Sequence, residues 1–521
     1  MSTVATTEPV AQSSGSKAYD QLLGLLRENE TLKSVANAMS WDQETMMPAG
    51  GADLRADQLT MLSGMIHDRS TDPRLGDLLG EAESDSAIAG DPIAQANLRE
   101  IRRDYDLATK LPKSLVEEMA RCNSQGMMAW KAARAANDFP KFLPWLEKTF
   151  ELNRRKAECL GVPEGGELYD ALMDIYEPGM TAKRTEEIFG PLREFTVPLV
   201  QKVAEARAAG KAPSIDPAVR PLPIEKQVEF ATRVTGTMGF DYSCGRMDPS
   251  THPFCQGVGP GDCRITNRYR ENGWCDALSS ATHEAGHGMY EQGLPKAERF
   301  GQPMAESVSL GIHESQSRMW ENQVGRSYAF WKWALPVARE IFGADALQGI
   351  EVDSIFKAAN LVEPNFIRVE SDEVTYNLHI MLRFELERAM IKGDLACKDL
   401  PGVWNERIKK DLGLTVTEDR VGCLQDIHWS MGAVGYFATY TFGNLYSAQF
   451  WEAMGQEIPS REQQIESGDF SSILNWVRTN IHQHGRRYSA GELCERATGK
   501  PLSSEPLMRY LEAKVQAVYG V

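Results

Sequence analysis

Residues 278–289 read Leu278-Ser-Ser-Ala281-Thr-His283-Glu284-Ala285-Gly286-His287-Gly-Met289 and carry two patterns at once. Leu278, Ala281, Ala285 and Met289 recur at the three-and-four spacing of one helical face, the side a helix turns to a core. His283 and His287 stand one turn apart on another face. Each residue advances an α-helix by ~100°, so the two imidazoles can converge on one ion while Glu284 holds the water that the ion acidifies. The plain alternative is a solvated helix with polar residues at those positions. Alanine, glycine and leucine neighbours argue against it.

Outward from this helix, most of the chain reads as helix. From Pro112, Leu115, Met119, Cys122, Gly126, Ala129 and Ala133 repeat as a buried stripe. A similar rhythm runs over 22–32, 146–160, 378–391 and 473–481. Gly50-Gly51, Gly165-Gly166, 208–223 and 295–303 punctuate it, and none is the long polar linker that separates domains. One helical domain over 18–521 follows, behind a Ser/Thr/Ala-rich segment, 1–17, that reads as a disordered tail rather than a signal peptide. The exception to helix is 252–269, where Gly257, Gly259, Pro260 and Gly261 lead into Cys263-Arg264-Ile265-Thr266-Asn267, a loop entering a short strand just before the HExxH segment.

At 521 residues, 42% apolar and 25% charged, the chain can bury a large core without staples. A net charge of −17 argues against nucleic acid or an anionic membrane as partner. The nine cysteines are scattered and lack a CxxC pair, so they read as reduced thiols of a cytoplasmic protein. Cys255, Cys263 and Cys275 fit no zinc-knuckle spacing. No apolar run reaches the ~18 residues of a membrane span.

A catalytic zinc takes a third protein ligand and leaves one position open. The next helical pattern, Glu306 to Arg318 with Val308, Ile312 and Met319 as its apolar side, folds back antiparallel after the break at 293–303 and offers Glu306 or Glu314. Glu314 has a plain alternative as a surface i,i+4 partner of Arg318. Spacing leaves the choice open.

Taken together the motifs resemble the carboxypeptidase Taq family of metallocarboxypeptidases. They run from Trp41-Asp42-Gln43-Glu44-Thr45 and Met47-Pro48, through His252-Pro253-Phe254, Asp262-Cys-Arg264-Ile-Thr266, His283 to His287, His313-Glu314-Ser-Gln-Ser317-Arg318 and Ile367-Arg368 with Asp372, to Gly422-Cys-Leu-Gln425-Asp426-Ile-His428-Trp429. Ser371 stands where the family usually has alanine. The resemblance implies a mostly α, clam-like, neurolysin-like fold with a deep central groove, a homodimer, and removal of single residues from the free C-termini of peptides with broad specificity. It also implies Glu314 as the third ligand. Zinc is the expected metal, with cobalt or manganese as substitutes.

The mechanism this suggests is amide hydrolysis with Glu284 as proton shuttle. Oxyanion donors are Tyr436 or Tyr440, by similarity to the tyrosine that related peptidases place over the metal, with His252 as runner-up. For the terminal carboxylate, Arg368 comes first and Arg264, beside Asp262, second. Both arginines have structural alternatives, Arg264 with Asp262 and Arg368 with Glu370 or Asp372. The strand at Ile265 is a candidate for pairing with substrate backbone, and the segment holding His428 and Trp429 for closing one end of the groove. His313 and His379 read as donors behind the metal ligands, and His67, His482 and His484 as surface residues. The nearest rival is a zinc endopeptidase, which needs no carboxylate-binding arginine. A silent peptide-binding protein would need no Glu284.

Overall fold

The computed structural model describes residues 14–521. Ser16 opens the first long helix, Lys17–Thr45, by accepting from the Tyr19 amide, the bond by which an N-cap serine satisfies an orphan donor. Ser16 is fully buried. The tail expected over 1–17 therefore does not extend to 14–17, and residues 1–13 lie outside the described residues.

The fold is mostly α with one small sheet, as the periodicity predicts. The stripe after Pro112 becomes the helix Lys113–Ala136, with Leu115, Cys122, Gly126 and Ala133 buried. The other rhythmic stretches fall in Lys17–Thr45, Phe139–Leu160, Tyr376–Lys392 and Ser471–Asn480. One apolar core extends from Trp130 to Tyr519. A satellite cluster around Leu22, Leu79 and Ile101 packs the N-terminal helices together. Buried Asn97 ties the satellite on, donating to the Tyr19 hydroxyl at 2.9 Å and to the Gln302 side chain at 2.8 Å. Arg486 adds ion pairs to Glu100, Asp104 and Glu306.

The sheet has the order β1 (Gly245–Pro249), β3 (Asp262–Asn267), β2 (Cys255–Gly259), with β1 parallel and β2 antiparallel to β3. Ile265 pairs with Met247 on one side and Cys255 on the other. It is thus on the central strand, and the expectation that it offers an edge to a substrate backbone is overturned. β1 went unforeseen, because Gly-Arg-Met-Asp-Pro lacks the apolar alternation that marks a strand.

The sheet lies against the HExxH helix, Trp274–Gly293. Leu278, Ala281, Ala285 and Met289 are all buried, so the core face is as expected. The segment after the break begins its helix later than predicted. Ser309 caps Leu310–Arg318, and the helix continues through a π-turn, Met319–Val324. Glu306 precedes the cap in extended backbone, with Arg486 at 3.3 Å. That removes it as a rival ligand.

His283 faces Glu321, Gly286 faces Gln316 and Ser317, and His287 faces His313, so the two segments cross antiparallel. The crossing is tight at Gly286. A Cβ there would lie 2.7 Å from both the Gln316 carbonyl oxygen and the Ser317 Cα, closer than atoms pack, and both are backbone. Gly286→Ala is therefore expected to lower the unfolding free energy by ~1–3 kcal/mol in a urea titration. Equal stability would mean that the two helices part freely.

Candidate metal centre

Three ligand atoms meet where these helices cross. His283 Nε2 lies 3.6 Å and His287 Nε2 3.3 Å from Glu314 Oε2, and the donor atoms of the three side chains all fall within 4.8 Å of one another. Two ligands bound tetrahedrally at ~2.1 Å from one ion sit ~3.4 Å apart, so the spacing suits a divalent cation. The outer face of each imidazole is engaged. His283 Nδ1 is 2.9 Å from Glu321 Oε2, and His287 Nδ1 is 2.5 Å from His313 Nδ1. Both Nε2 atoms are thereby left for the cation. The donor set fits the metal that the motif implies.

Glu314 turns Oε2 to the centre because Arg318 holds the other oxygen, while Ser317 steadies Oε2 itself. Arg318 Nε donates to Oε1 at 2.7 Å, and the Ser317 hydroxyl donates to Oε2 at 2.9 Å. Burial opposes the ionised form, yet Arg318 and His283 outweigh it and hold the carboxyl well below its usual range. The i,i+4 pair with Arg318 does form, but inside the protein. Glu284, 6% exposed, has the opposite environment. Burial lifts its carboxyl to about 7, and His283 only partly offsets this.

A second cluster adjoins the first through Arg318, which lies 4.8 Å over the Tyr376 ring. The Tyr376 hydroxyl accepts from Arg368 Nη1 at 3.0 Å. Arg368 Nε donates to Asp426 Oδ1 at 3.0 Å, and the guanidinium lies 5.0 Å from the Tyr440 ring. The Tyr440 and Tyr436 hydroxyls are 3.5 Å apart, and His428 packs against Phe437 and Tyr436. Gly443, on the same helix as Tyr440 (Ala438–Glu457), lets that helix close on Glu314, because a Cβ there would be 2.3 Å from Glu314 Cγ. Of the sequence candidates, then, His283, Glu284, His287, Glu314, Arg368, His428, Tyr436 and Tyr440 gather in one region.

Asp262 and Arg264 lie on β3, and His252 lies in the loop that precedes β2. Cys263 and Ile265 face the HExxH helix, and strand alternation sends Asp262 and Arg264 to the other side. There Arg264 pairs with Asp262 at 2.7 Å and sits 4.5 Å over the Trp41 ring. His252 is exposed in the loop between β1 and β2. Arg368 pairs with Asp426 rather than with Glu370 or Asp372, and Asp372 instead accepts from the Val374 and Thr375 amides. His379 Nε2 lies 3.0 Å from the Asn365 carbonyl oxygen. His482 corrects the sequence reading: it is fully buried, with Gln316 Oε1 2.9 Å from its Nε2. His67 is exposed and His484 half-buried.

Sequence reasoning missed Glu321, Glu291 and Glu387. Glu291 continues the His283, His287 spacing by one more turn, a legible signal. Glu387 had none. It is fully buried and accepts from the Tyr169 hydroxyl, Trp429 Nε1 and the Gly435 amide, so one carboxyl pins both ends of the 429–435 turn that His428 and Tyr436 flank. Burial raises its carboxyl to about 7, above the ~4.3 of an unfolded glutamate. The native state then binds the extra proton. Its contribution to stability is full below pH ~4.3 and is lost as pH rises toward 7, by on the order of 3 kcal/mol in all. We expect the fall in unfolding free energy between pH 5 and 7.5 to be smaller in Glu387→Gln. Parallel curves for the two proteins would assign that proton elsewhere.

The family model described as carboxypeptidase Taq (M32) metallopeptidase matches residues 21–515. Thermostable carboxypeptidase 1 of Thermus thermophilus is 43% identical over 512 residues, covering 96% of this chain and 99% of that protein. Carboxypeptidase 1 of Bacillus subtilis is 34% identical over 502 residues, 96% of this chain and 98% of its own. The crystal structure of the M32 carboxypeptidase from Deinococcus radiodurans R1 superposes with a TM-score of 0.93 at 40% identity, covering 97% of this chain and 100% of that one. Trypanosoma cruzi metallocarboxypeptidase 1 gives 0.92 at 36% identity, with 96% and 99% covered. The likeness spans nearly the whole helical body around the His283, His287 and Glu314 centre, and the chain belongs to the carboxypeptidase Taq (M32) family of metallopeptidases.

Proposed function

We propose that this protein is a metal-dependent carboxypeptidase that removes single residues, with broad side-chain specificity, from the free C-termini of peptides. The convergence of His283, His287 and Glu314 with Glu284 beside them carries this reading. A divalent cation held there supplies a Lewis acid for the scissile carbonyl and acidifies water. Glu284 takes the proton from the attacking water and hands it to the leaving amine nitrogen as the C–N bond breaks. Tyr436 or Tyr440 donates to the oxyanion. His252, exposed on its loop, is a weaker candidate. Arg368, with His428 beside it, receives the terminal carboxylate, and Asp262 with Arg264 is the second choice for that task. These groups address parts common to all peptides, which supports broad specificity.

Two imidazole nitrogens and one carboxylate oxygen are a ligand set that catalytic zinc uses, so zinc is the proposed metal, with cobalt or manganese as rivals. We read residues 14–521 as one unit closing around a groove, active as a homodimer, which light scattering tests. The nine free thiols suit a cytoplasmic location. No helix among the described residues is long and apolar enough to cross a membrane.

One observation favours the endopeptidase alternative: Arg368 is only 5% exposed and already pairs with Asp426. Mass spectrometry of a peptide pool digested with and without chelator separates the two. Stepwise loss of C-terminal residues, abolished by chelator and by amidation of the peptides, is expected. Internal cuts, or amidated peptides cut as readily as free ones, would replace the carboxypeptidase reading with the endopeptidase.

A further inference from the structure

The two histidines differ in what holds their outer nitrogens. His283 Nδ1 meets a carboxylate, Glu321, whereas His287 Nδ1 meets a second imidazole, His313, at 2.5 Å. A contact that short needs one proton between the nitrogens, because two N–H groups or two lone pairs facing each other would repel. The far side of His313 decides which ring owns it. His313 Nε2 lies 2.9 Å from Glu291 Oε1, and the other oxygen of Glu291 is ion-paired with Lys296. A carboxylate held ionised by an ammonium only accepts. His313 therefore carries its proton on Nε2 and turns the lone pair of Nδ1 toward His287. His287 donates from Nδ1, and its Nε2 keeps a free lone pair facing Glu314. The reverse order would put the His287 proton on Nε2 and close the site to any cation.

We propose that Lys296, Glu291 and His313 form a positioning relay that fixes the tautomer and ring orientation of His287, so that its Nε2 lone pair points at the metal. This inference rests on the metal-site reading above. The surroundings are built for the relay. Gly257 of β2 makes room for its outer end, since a Cβ there would lie 2.3 Å from Glu291 Oε2 and 2.9 Å from Lys296 Nζ. The Tyr290 ring, 5.2 Å from that of His313, packs against its middle. Residues that orient a metal-bound histidine change metal affinity even though they never touch the ion. The sheet thus reaches the metal through the side-chain pair under Gly257.

The test is zinc affinity of the full chain, by competition with a chromophoric chelator, together with melting temperatures with and without zinc. We expect His313→Ala to bind zinc ~10–100-fold more weakly and Lys296→Met about tenfold more weakly. His313→Gln, whose amide oxygen still accepts from His287 Nδ1, and Lys296→Arg should regain most of the affinity. Metal-free melting temperatures should fall in His313→Ala and Lys296→Met, since each removes a partner of the buried Glu291, but the rise on adding zinc should shrink as well, which simple loss of packing would not give. Zinc affinity in His313→Ala and Lys296→Met within about threefold of wild type would overturn the relay alone. If His313→Ala does not fold, the lysine pair decides, and equal affinity in Lys296→Met and Lys296→Arg overturns it. A wild-type protein that binds no zinc removes the metal reading and the relay together.

Discussion

Glu284→Gln is expected to lower kcat by ~10²–10⁴-fold while leaving bound metal and unfolding midpoint near wild type. The substitution keeps the shape of the side chain and removes its basicity. The site already disfavours the charge, since burial lifts the Glu284 carboxyl to about 7, so a neutral amide costs little there. The histidines and Glu314 do not depend on Glu284 for any hydrogen bond in the centre. Turnover of a blocked dipeptide, metal content and a melting curve on one preparation separate the chemical role from a structural one. If kcat stays within tenfold, another group moves the proton.

Arg318→Met is expected to cost ~3–5 kcal/mol in the chelated protein. Its guanidinium reaches Glu314 at 2.7 Å and Glu321 at 3.4 Å while lying over Tyr376. Both carboxylates are buried, and without Arg318 they share one region with less positive charge to hold them. Glu321 keeps Arg326 at 2.8 Å, whereas Glu314 keeps only neutral donors and the histidines. Added zinc should then raise the melting temperature more in the variant than in the wild type, because the cation supplies the charge that the arginine did. A variant as stable as wild type under chelator would show that these carboxylates are solvated rather than paired.

The helices were legible because burial repeats along them with one period: Leu115, Cys122, Gly126 and Ala133 are the buried face that the spacing predicts. His283, Glu284 and His287 were legible because a single helix brings them together. Glu314 could not be chosen from spacing, since its approach to the histidines depends on a crossing between two helices separated by a long break. The family resemblance selected it. Glu321 went unseen for the same reason, whereas Glu291 continues the His283, His287 spacing on their own helix and was passed over, and Ile265 was misjudged because its partner strand β1 has no apolar alternation. His482 misled differently. In His-Gln-His-Gly-Arg-Arg it reads as solvated, yet Gly485 packs onto the Met304 backbone and Gly293 admits the imidazole, so the polar run folds inward.

The contact at Gly286 also bears on finding distant relatives. Five-letter HExxH strings arise by accident in many helices, and most such helices could not lay a partner backbone against the fourth letter. Where that letter is glycine, a neighbouring segment can approach closely enough to contribute a ligand from outside the helix. Scanning genomes for His-Glu-x-Gly-His should therefore return fewer accidental hits than the looser pattern, and the carboxylate to look for lies on whichever helix that glycine touches.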